Sequence, residues 1–325
     1  MRMQIAFALM LFLEITSLVG SKAQAQTDYP RRQIELIVPF PPGGPNDTAA
    51  RIIQPQLSTN LGVPVVIVTK PGGGGALGAE YVVKAKPDGY VLYYTTNTTL
   101  TILPAMQPDV SHRLADFVAV GSTMADFGSI TTRASNPWKT LEQVVDYGKK
   151  NPGKLSYGSA GVGTLSSFAM EIFKISYGLD VAHVPFQGTG PVKNAILGGH
   201  VQLASSGFSS LGPLIKSGDL TALVSTAPKR LPEFPNVPTM AEKGFPEATL
   251  NLWMLLAAPA KTPPAVVDRL TRALEKTMKD PAVVAAVKKA EMSIDYHGPE
   301  ATRQMIEKEH EVVTKVVQKL GLGKK

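Results

Sequence analysis

Two hydrophobic periods alternate along the chain. Short unbroken apolar runs, such as Ile34, Leu36, Ile37 and Val38, read as strands buried on both faces of a parallel sheet. Between them lie stretches with helical spacing, such as Leu165, Phe168, Ala169, Ile172 and Phe173. In the first third this pattern predicts a strand over 33–38, a helix over 47–60, a strand over 64–69, a helix over 76–85 and a strand over 90–95. A second series runs helix 140–150, strand 154–158, helix 164–176, strand 181–185, helix 190–197, strand 201–205, helix 209–216 and strand 220–226. Strict β-α alternation argues for an α/β architecture with parallel sheets and right-handed crossovers. The C-terminal part reads as helical, with Thr262 before Pro263 and Pro264, and Asp280 before Pro281, as caps. The last helix runs from about Pro299 to Leu320 and ends at Gly321.

Two joints carry more than turn chemistry. After the first strand, Pro39, Pro41 and Pro42 stop the ladder because they have no N–H to give it. Gly43 and Gly44 allow close approach of the backbone, and Asn46 or Asp47 is placed to cap the next helix, whose first N–H groups point outward with the positive end of the dipole. Such a loop is an anion cradle. About 110 residues later the device returns: strand Lys154-Leu-Ser-Tyr157, turn Gly158-Ser-Ala-Gly-Val-Gly163, and a helix from Thr164. Two cradles imply two lobes facing a charged small molecule, held at the C-terminal ends of strands.

The ends and the composition sharpen this picture. Arg2, the apolar run Ile5 to Leu13 and the small-x-small Ala23-Gln-Ala25 read as an export leader cleaved after Ala25, because the run falls short of the roughly 20 residues a bilayer span needs. About 300 residues then remain, enough for two domains. The chain has no cysteine, which removes disulfides and thiolate chemistry together. Its net charge of +7 favours encounter with anions. Lys288, Lys289, Lys308, Lys315 and Lys319 have no aromatic residues interleaved and read as a solvated helix face, so no nucleic-acid partner is expected.

Enzyme signatures fall away on inspection. Gly73-Gly-Gly-Ala-Leu-Gly78 satisfies G-x-G-x-x-G after a strand and before a helix, yet Thr95 to Leu100 lacks the acid a dinucleotide site places about 20 residues on. The glycines read instead as a turn for tight packing, and a dinucleotide-dependent enzyme is the weaker alternative. Neither G-x-S-x-G nor a Walker loop occurs, and His112, His183, His200, His297 and His310 lack metal-ligand spacing. No metal and no cofactor are expected. Asp47 and Arg51, four apart, read as an ion pair, and Trp138 and Trp253 as packing residues, with Trp253 close enough to a lobe crossing to line the cleft.

Taken in order, Pro39-Phe-Pro-Pro-Gly-Gly-Pro-Asn-Asp47, Lys70-Pro-Gly-Gly-Gly-Gly75, Pro87-Asp-Gly-Tyr90, Tyr157-Gly-Ser-Ala-Gly-Val-Gly-Thr164, Val184-Pro-Phe-Gln-Gly188, Leu197-Gly-Gly199 and Pro238-Thr-Met-Ala-Glu242 resemble the substrate-binding receptors of tripartite tricarboxylate transporters, the Bug or TctC family. The resemblance runs from Tyr29 to the C-terminal helix. It implies a two-lobed Venus-flytrap fold, each lobe a mainly parallel sheet flanked by helices, with lobe one at 28–127 plus 253–325 and lobe two at 128–252. The chain would cross between lobes around 117–130 and again at Leu250 to Leu256. The implied function is capture of a small organic carboxylate in the periplasm by a monomeric receptor that is not an enzyme, and delivery to membrane permease subunits; an exported sensor or delivery protein without transport is the alternative. Expected ligand contacts are Pro42, Gly43, Gly44, Asn46 and Asp47 in the first cradle, and Asn97 and Thr98 after the third strand. The second lobe offers Ser159, Ala160, Gly161, Gly163 and Thr164, then Gly188 and Thr189, with Ser206 and Phe208 setting shape. The chain departs from the family's pattern at Ser167, where His is frequent, at Gln202, where Asp is frequent, and near Ser206, where another Asp is frequent.

Overall fold

A computed structural model describes residues 29–323, so the expected leader and its cleavage site lie outside the described residues. The first crossover series is present: β1 (Ile34–Val38), α1 (Pro45–Leu61), β2 (Val65–Thr69), α2 (Ala76–Val83) and β3 (Val91–Thr96). β1 lies between β2 and β3, parallel to both, with Ile34, Leu36, Ile37 and Val38 fully buried. Burial on both faces is what its unbroken apolar run requires.

A short helix α3 (Ile102–Met106) leads into β4 (Phe117–Arg133), a 17-residue strand. The second series follows: α4 (Leu141–Lys150), β5 (Leu155–Ser159), α5 (Leu165–Tyr177), β6 (Val181–Pro185), α6 (Thr189–Gly198), β7 (Leu203–Gly207), α7 (Phe208–Lys216) and β8 (Leu220–Ser225). The chain then returns through β9 (Asn251–Pro259) to α8 (Pro264–Met278), α9 (Pro281–Lys289), β10 (Ser293–Ile294) and α10 (Pro299–Leu320). Phe117 to Phe127 of β4 pair antiparallel with β9, whereas Gly128 to Arg133 run between β7 and β8. One strand therefore serves both sheets, and its register shifts at Ala119/Gly121, Ser122/Ala125 and Ile130/Thr131 supply the bends this needs.

Each lobe has the expected parallel centre, β2-β1-β3 in one and β6-β5-β7 in the other, but the sheets as a whole are mixed, because β4, β8, β9 and β10 join antiparallel. The reason is topological: a chain that leaves one lobe and comes back presents its outgoing and returning strands in opposite senses. The cores follow the same division. One cluster joins β1, β3 and β9 to α1 and α8, and another gathers α4, α5, β5 and β8. α10 belongs to both halves, because Ile306 packs with Leu255 and Ala257 while Val313 and Val317 pack in the second cluster.

Helix starts correct two expectations. The N-cap of α1 is Gly44, with Pro45 in the first turn, so Asn46 and Asp47 lie inside the helix and cap nothing. The fixed φ of proline is preorganised for such a start, and its missing N–H is one the helix could not have paired. Pro263 caps α8, and the Thr262 hydroxyl has no partner. Asp280 does cap α9, accepting from the Ala282 and Val283 N–H groups at 2.9 and 3.4 Å. Thr164 caps α5, accepting from the Ser167 N–H at 3.4 Å.

Candidate ligand-binding cleft

Four helices begin at one cavity. Their N-cap residues Gly44 (α1), Thr164 (α5), Gly188 (α6) and Gly207 (α7) all line it. Sheet order produces this, because each of the four helices follows a strand whose C-terminal end, or the loop beyond it, faces the space between the sheets. A helix N-terminus carries roughly half a positive charge and unsatisfied N–H groups, so four together make a positive site without a cation. No ionisable side chain lines the cavity among the described residues.

The cavity is a slot with about 610 Å³ of atom-free space including its mouth. Phe40, Leu165, Ala169 and Leu252 supply apolar walls. A second opening of about 720 Å³ adjoins it, sharing Phe40, Ala160 and Gly188, with Gly72 to Gly75 on one side and Gly161, Val162 and Gln187 on the other. The two halves touch across the slot. A Cβ on Gly188, which sits at φ +102°, would come within 2.7 Å of the Pro41 ring, and one on Gly74 within 2.4 Å of the Val162 carbonyl oxygen.

Of the residues expected from sequence, Gly44, Asn46, Thr98, Ala160, Thr164, Gly188, Thr189 and Ser206 line the slot. Asn46 stands apart: it is 2% exposed, and neither its Oδ1 nor its Nδ2 has a hydrogen-bond partner. Buried amides are rarely left so. The hydroxyls nearby are mostly engaged: Ser206 donates to Thr189 Oγ1 at 3.1 Å, and Thr164 donates to the Gly161 carbonyl at 2.6 Å.

The other expected residues do not line the slot, and several spend their polar atoms inside the protein. Asp47 accepts from the Gly43 N–H at 3.0 Å and pairs with Arg51 at 2.9 Å, the ion pair read from their spacing, so it shapes the loop holding Pro42 and Gly43. Asn97 donates to Glu309 at 2.7 Å and to the Asn251 carbonyl at 3.0 Å, and accepts from the Trp253 N–H at 3.2 Å. Ser159 bonds His183 Nε2 at 2.7 Å, with the imidazole stacked on Tyr157 at 4.4 Å. Gly161 borders the outer opening, Gly163 packs against Leu103, and Phe208 packs on Phe234 at 4.5 Å. Trp138 packs on Tyr147, while Trp253 is buried and donates to Glu309 at 2.9 Å instead of lining the slot.

Sequence reasoning missed Phe40, Thr96, Gly128, Ser166, Ser205, Gly207, Thr226 and Leu252. Gly207 had a readable signal, standing just ahead of the predicted helix 209–216. Gly128 and Leu252 fall within the expected crossings at 117–130 and Leu250 to Leu256, which place that stretch near the cleft without choosing the residue, and Thr226 had no signal, since it reaches the slot only from the end of a neighbouring strand.

Two buried carboxylates sit beside the residues of the slot. Asp126, on β4, accepts from the Ser209 Oγ at 2.6 Å, the Ser209 N–H at 3.2 Å and the Phe127 N–H at 2.9 Å. It thus takes part of the α7 N-terminus for the protein itself. Burial pushes its carboxyl up to about 6, against the pull of those hydrogen bonds. Glu309, on α10, accepts from Asn97, Trp253 and the Thr101 hydroxyl at 2.8 Å, and burial raises its pKa in the same direction. Among the described residues no group of three His, Asp or Glu could hold a metal ion, and no helix is long and apolar enough to cross a membrane.

Comparison with known proteins agrees with this architecture. The sequence profile of the tripartite tricarboxylate transporter family receptor matches residues 49–322. Protein BugT of Bordetella pertussis is 30% identical over 308 residues, covering 94% of each chain. The solved structure of MatC from Rhodopseudomonas palustris with bound malate superposes with a TM-score of 0.85 at 29% identity, over 89% of this chain and all of that one. Rpa4515 of R. palustris with adipate gives a TM-score of 0.85 at 27% identity, over 90% of this chain and 99% of that one.

Proposed function

We propose, for a chain that belongs to the tripartite tricarboxylate transporter receptor family, that it is an exported monomeric receptor which closes two lobes around one small organic carboxylate and hands it to the membrane subunits of such a transporter. The observation that carries this reading is the convergence of the α1, α5, α6 and α7 N-termini on one uncharged slot. Hydrogen bonds from such N–H groups to a charged acceptor contribute roughly 1.5–3 kcal/mol each, enough to hold an anion without an arginine. MatC and Rpa4515, which carry malate and adipate, supply the chemical class.

In this reading lobe one is 28–127 plus 253–325 and lobe two is 128–252. Gly44 and Asn46 hold the ligand from one side, and Ala160, Thr164, Gly188, Thr189 and Ser206 from the other. Pro42, Gly43, Gly161 and Gly163 shape the loops, and Thr98 orients the ligand body. The contacts of Gly188 with Pro41 and of Gly74 with Val162 belong to a closed state, which a bridging ligand stabilises over an open one.

Calorimetry of the mature chain against a panel of mono-, di- and tricarboxylates, including malate and adipate, tests the reading. Binding should be accompanied by a more compact scattering profile and by recovery of the ligand unchanged. Turnover of the ligand, or a panel with no binder, overturns it, and normal uptake of a proven ligand in cells lacking the receptor removes the transport role.

A further inference from the structure

We infer that the slot is built for a hydroxycarboxylate, and that Asn46 reads the hydroxyl. The inference rests on the receptor reading above and deepens it.

Asn46 lies in the second position of α1, 2% exposed and lining the slot, with both amide atoms unpartnered. A carboxylate only accepts hydrogen bonds, so a plain dicarboxylate satisfies Nδ2 and leaves Oδ1 buried and bare. A ligand that presents a donor next to an acceptor satisfies both atoms directly. Interchanging Oδ1 and Nδ2 changes nothing, because both are orphaned. The donor is neutral, because the N-termini of α1, α5 and α6 face a space with no carboxylate among the described side chains lining it and disfavour an ammonium, while the buried Asp126 is turned to Ser209 at the start of α7. A hydroxyl fits: it donates to Oδ1 and accepts from Nδ2, while the neighbouring carboxylate takes the N–H groups. Among the described residues no hydroxyl of the slot bonds the Asn46 amide, and Ser206 and Thr164 are engaged with Thr189 and with Gly161 and Ser166. A site whose buried polar groups are matched to a substrate hydroxyl rejects the analogue lacking it, because the analogue leaves those groups unpaired.

The test uses matched pairs: malate with succinate, citrate with tricarballylate, and mandelate with phenylacetate, each titrated calorimetrically into the mature protein. The parent should prefer the hydroxylated member of any pair it binds by at least about tenfold, the factor that 1.4 kcal/mol represents. Asn46→Leu, checked for folding by circular dichroism, should bring that ratio below about threefold, because the hydroxylated member loses both amide bonds and its partner only the one from Nδ2. Asn46→Ser, which keeps a donor and an acceptor, should retain a preference. Aspartate should bind more weakly than malate. Equal affinity within the pairs for the parent overturns the inference while leaving the receptor reading intact, and means that water fills the Asn46 position. A preference that survives in Asn46→Leu moves the hydroxyl to another residue and also overturns it. A parent that binds another carboxylate of the wider panel but no member of any pair overturns this inference alone, and one that binds no carboxylate at all removes the receptor reading with it.

Discussion

Replacing Asp126 by Asn should make the protein's stability respond differently to pH, by an amount the structure sets. Asp126 is 1% exposed at the point where β4 leaves β9 for β7 and β8. Its carboxyl accepts three hydrogen bonds from Phe127 and Ser209, yet burial raises it from an ordinary 3.8 to about 6. The nearby Glu291 adds a smaller push in the same direction. A Cβ on Gly207 would fall 1.8 Å from Asp126 Oδ2, so glycine is what lets the carboxyl sit against α7 at all. In the folded chain the proton is held more tightly than in the unfolded one. The stability this group contributes is therefore fully present below about 3.8 and is lost as the pH rises through about 6. The gap of roughly two pH units, at about 1.4 kcal/mol each, makes the loss about 3 kcal/mol. The amide introduced by Asp126→Asn stays neutral throughout: its oxygen still accepts from the two N–H groups, and its NH₂ donates to the Ser209 hydroxyl. Urea unfolding of both proteins at pH 4, 5.5 and 7 measures the difference between them, in which all other titrating groups cancel. That difference should move toward the Asn variant by about 2.4 kcal/mol from pH 4 to pH 7, a little of the full loss having occurred by pH 4. A difference that stays constant, or moves toward the parent, refutes the assignment of a raised Asp126 carboxyl.

Three further outcomes are expected. Glu309→Leu leaves the Trp253 indole N–H and one of the two Asn97 amide N–H groups buried without an acceptor, while the Thr101 hydroxyl keeps the Asn97 carbonyl at 3.1 Å; at about 1–3 kcal/mol each, denaturant unfolding should register a loss of at least about 2 kcal/mol, and a parental midpoint would contradict the network. Thr164→Ala removes the α5 cap and should cost about 1 kcal/mol of stability, with a fall in carboxylate affinity on top of it, because Thr164 also lines the slot. Gly74→Ala sets a Cβ 2.4 Å from the Val162 carbonyl at a φ of +64°, so the lobes cannot meet there; scattering should show no ligand-induced compaction while the far-ultraviolet dichroism stays parental, and normal compaction would mean that this contact is not part of closure.

Much of the fold is legible in the chain because its signals are local. The apolar run at Ile34 to Val38 buries on both faces, the proline and glycine joints fall where strands end, and Thr164 and Asp280 cap the helices they precede. The misplaced cap at α1 has an equally local cause: with proline in the first turn the helix starts at Gly44 without a side-chain cap, and Asn46 is released to face the slot. The antiparallel share of the sheets lies beyond local patterning, since an apolar run such as Leu250 to Leu256 carries no mark of its direction relative to distant strands.

The candidate site divides along the same line. Sequence alone determined that two glycine loops each open a helix and so present its unpaired N–H groups, because a loop and the helix it opens are contiguous. Tertiary structure decided which neighbouring side chains remain free for a ligand. Asn97 is committed to Glu309, more than 200 residues away, and Ser159 to His183 on the adjacent strand, while Asn46 is left without a partner. It also decided that α6 and α7 join the first two N-termini, since that convergence depends on the order of strands across two sheets sharing β4. A polar group's availability depends on every atom that packs around it, and most of those atoms come from segments far away in the chain.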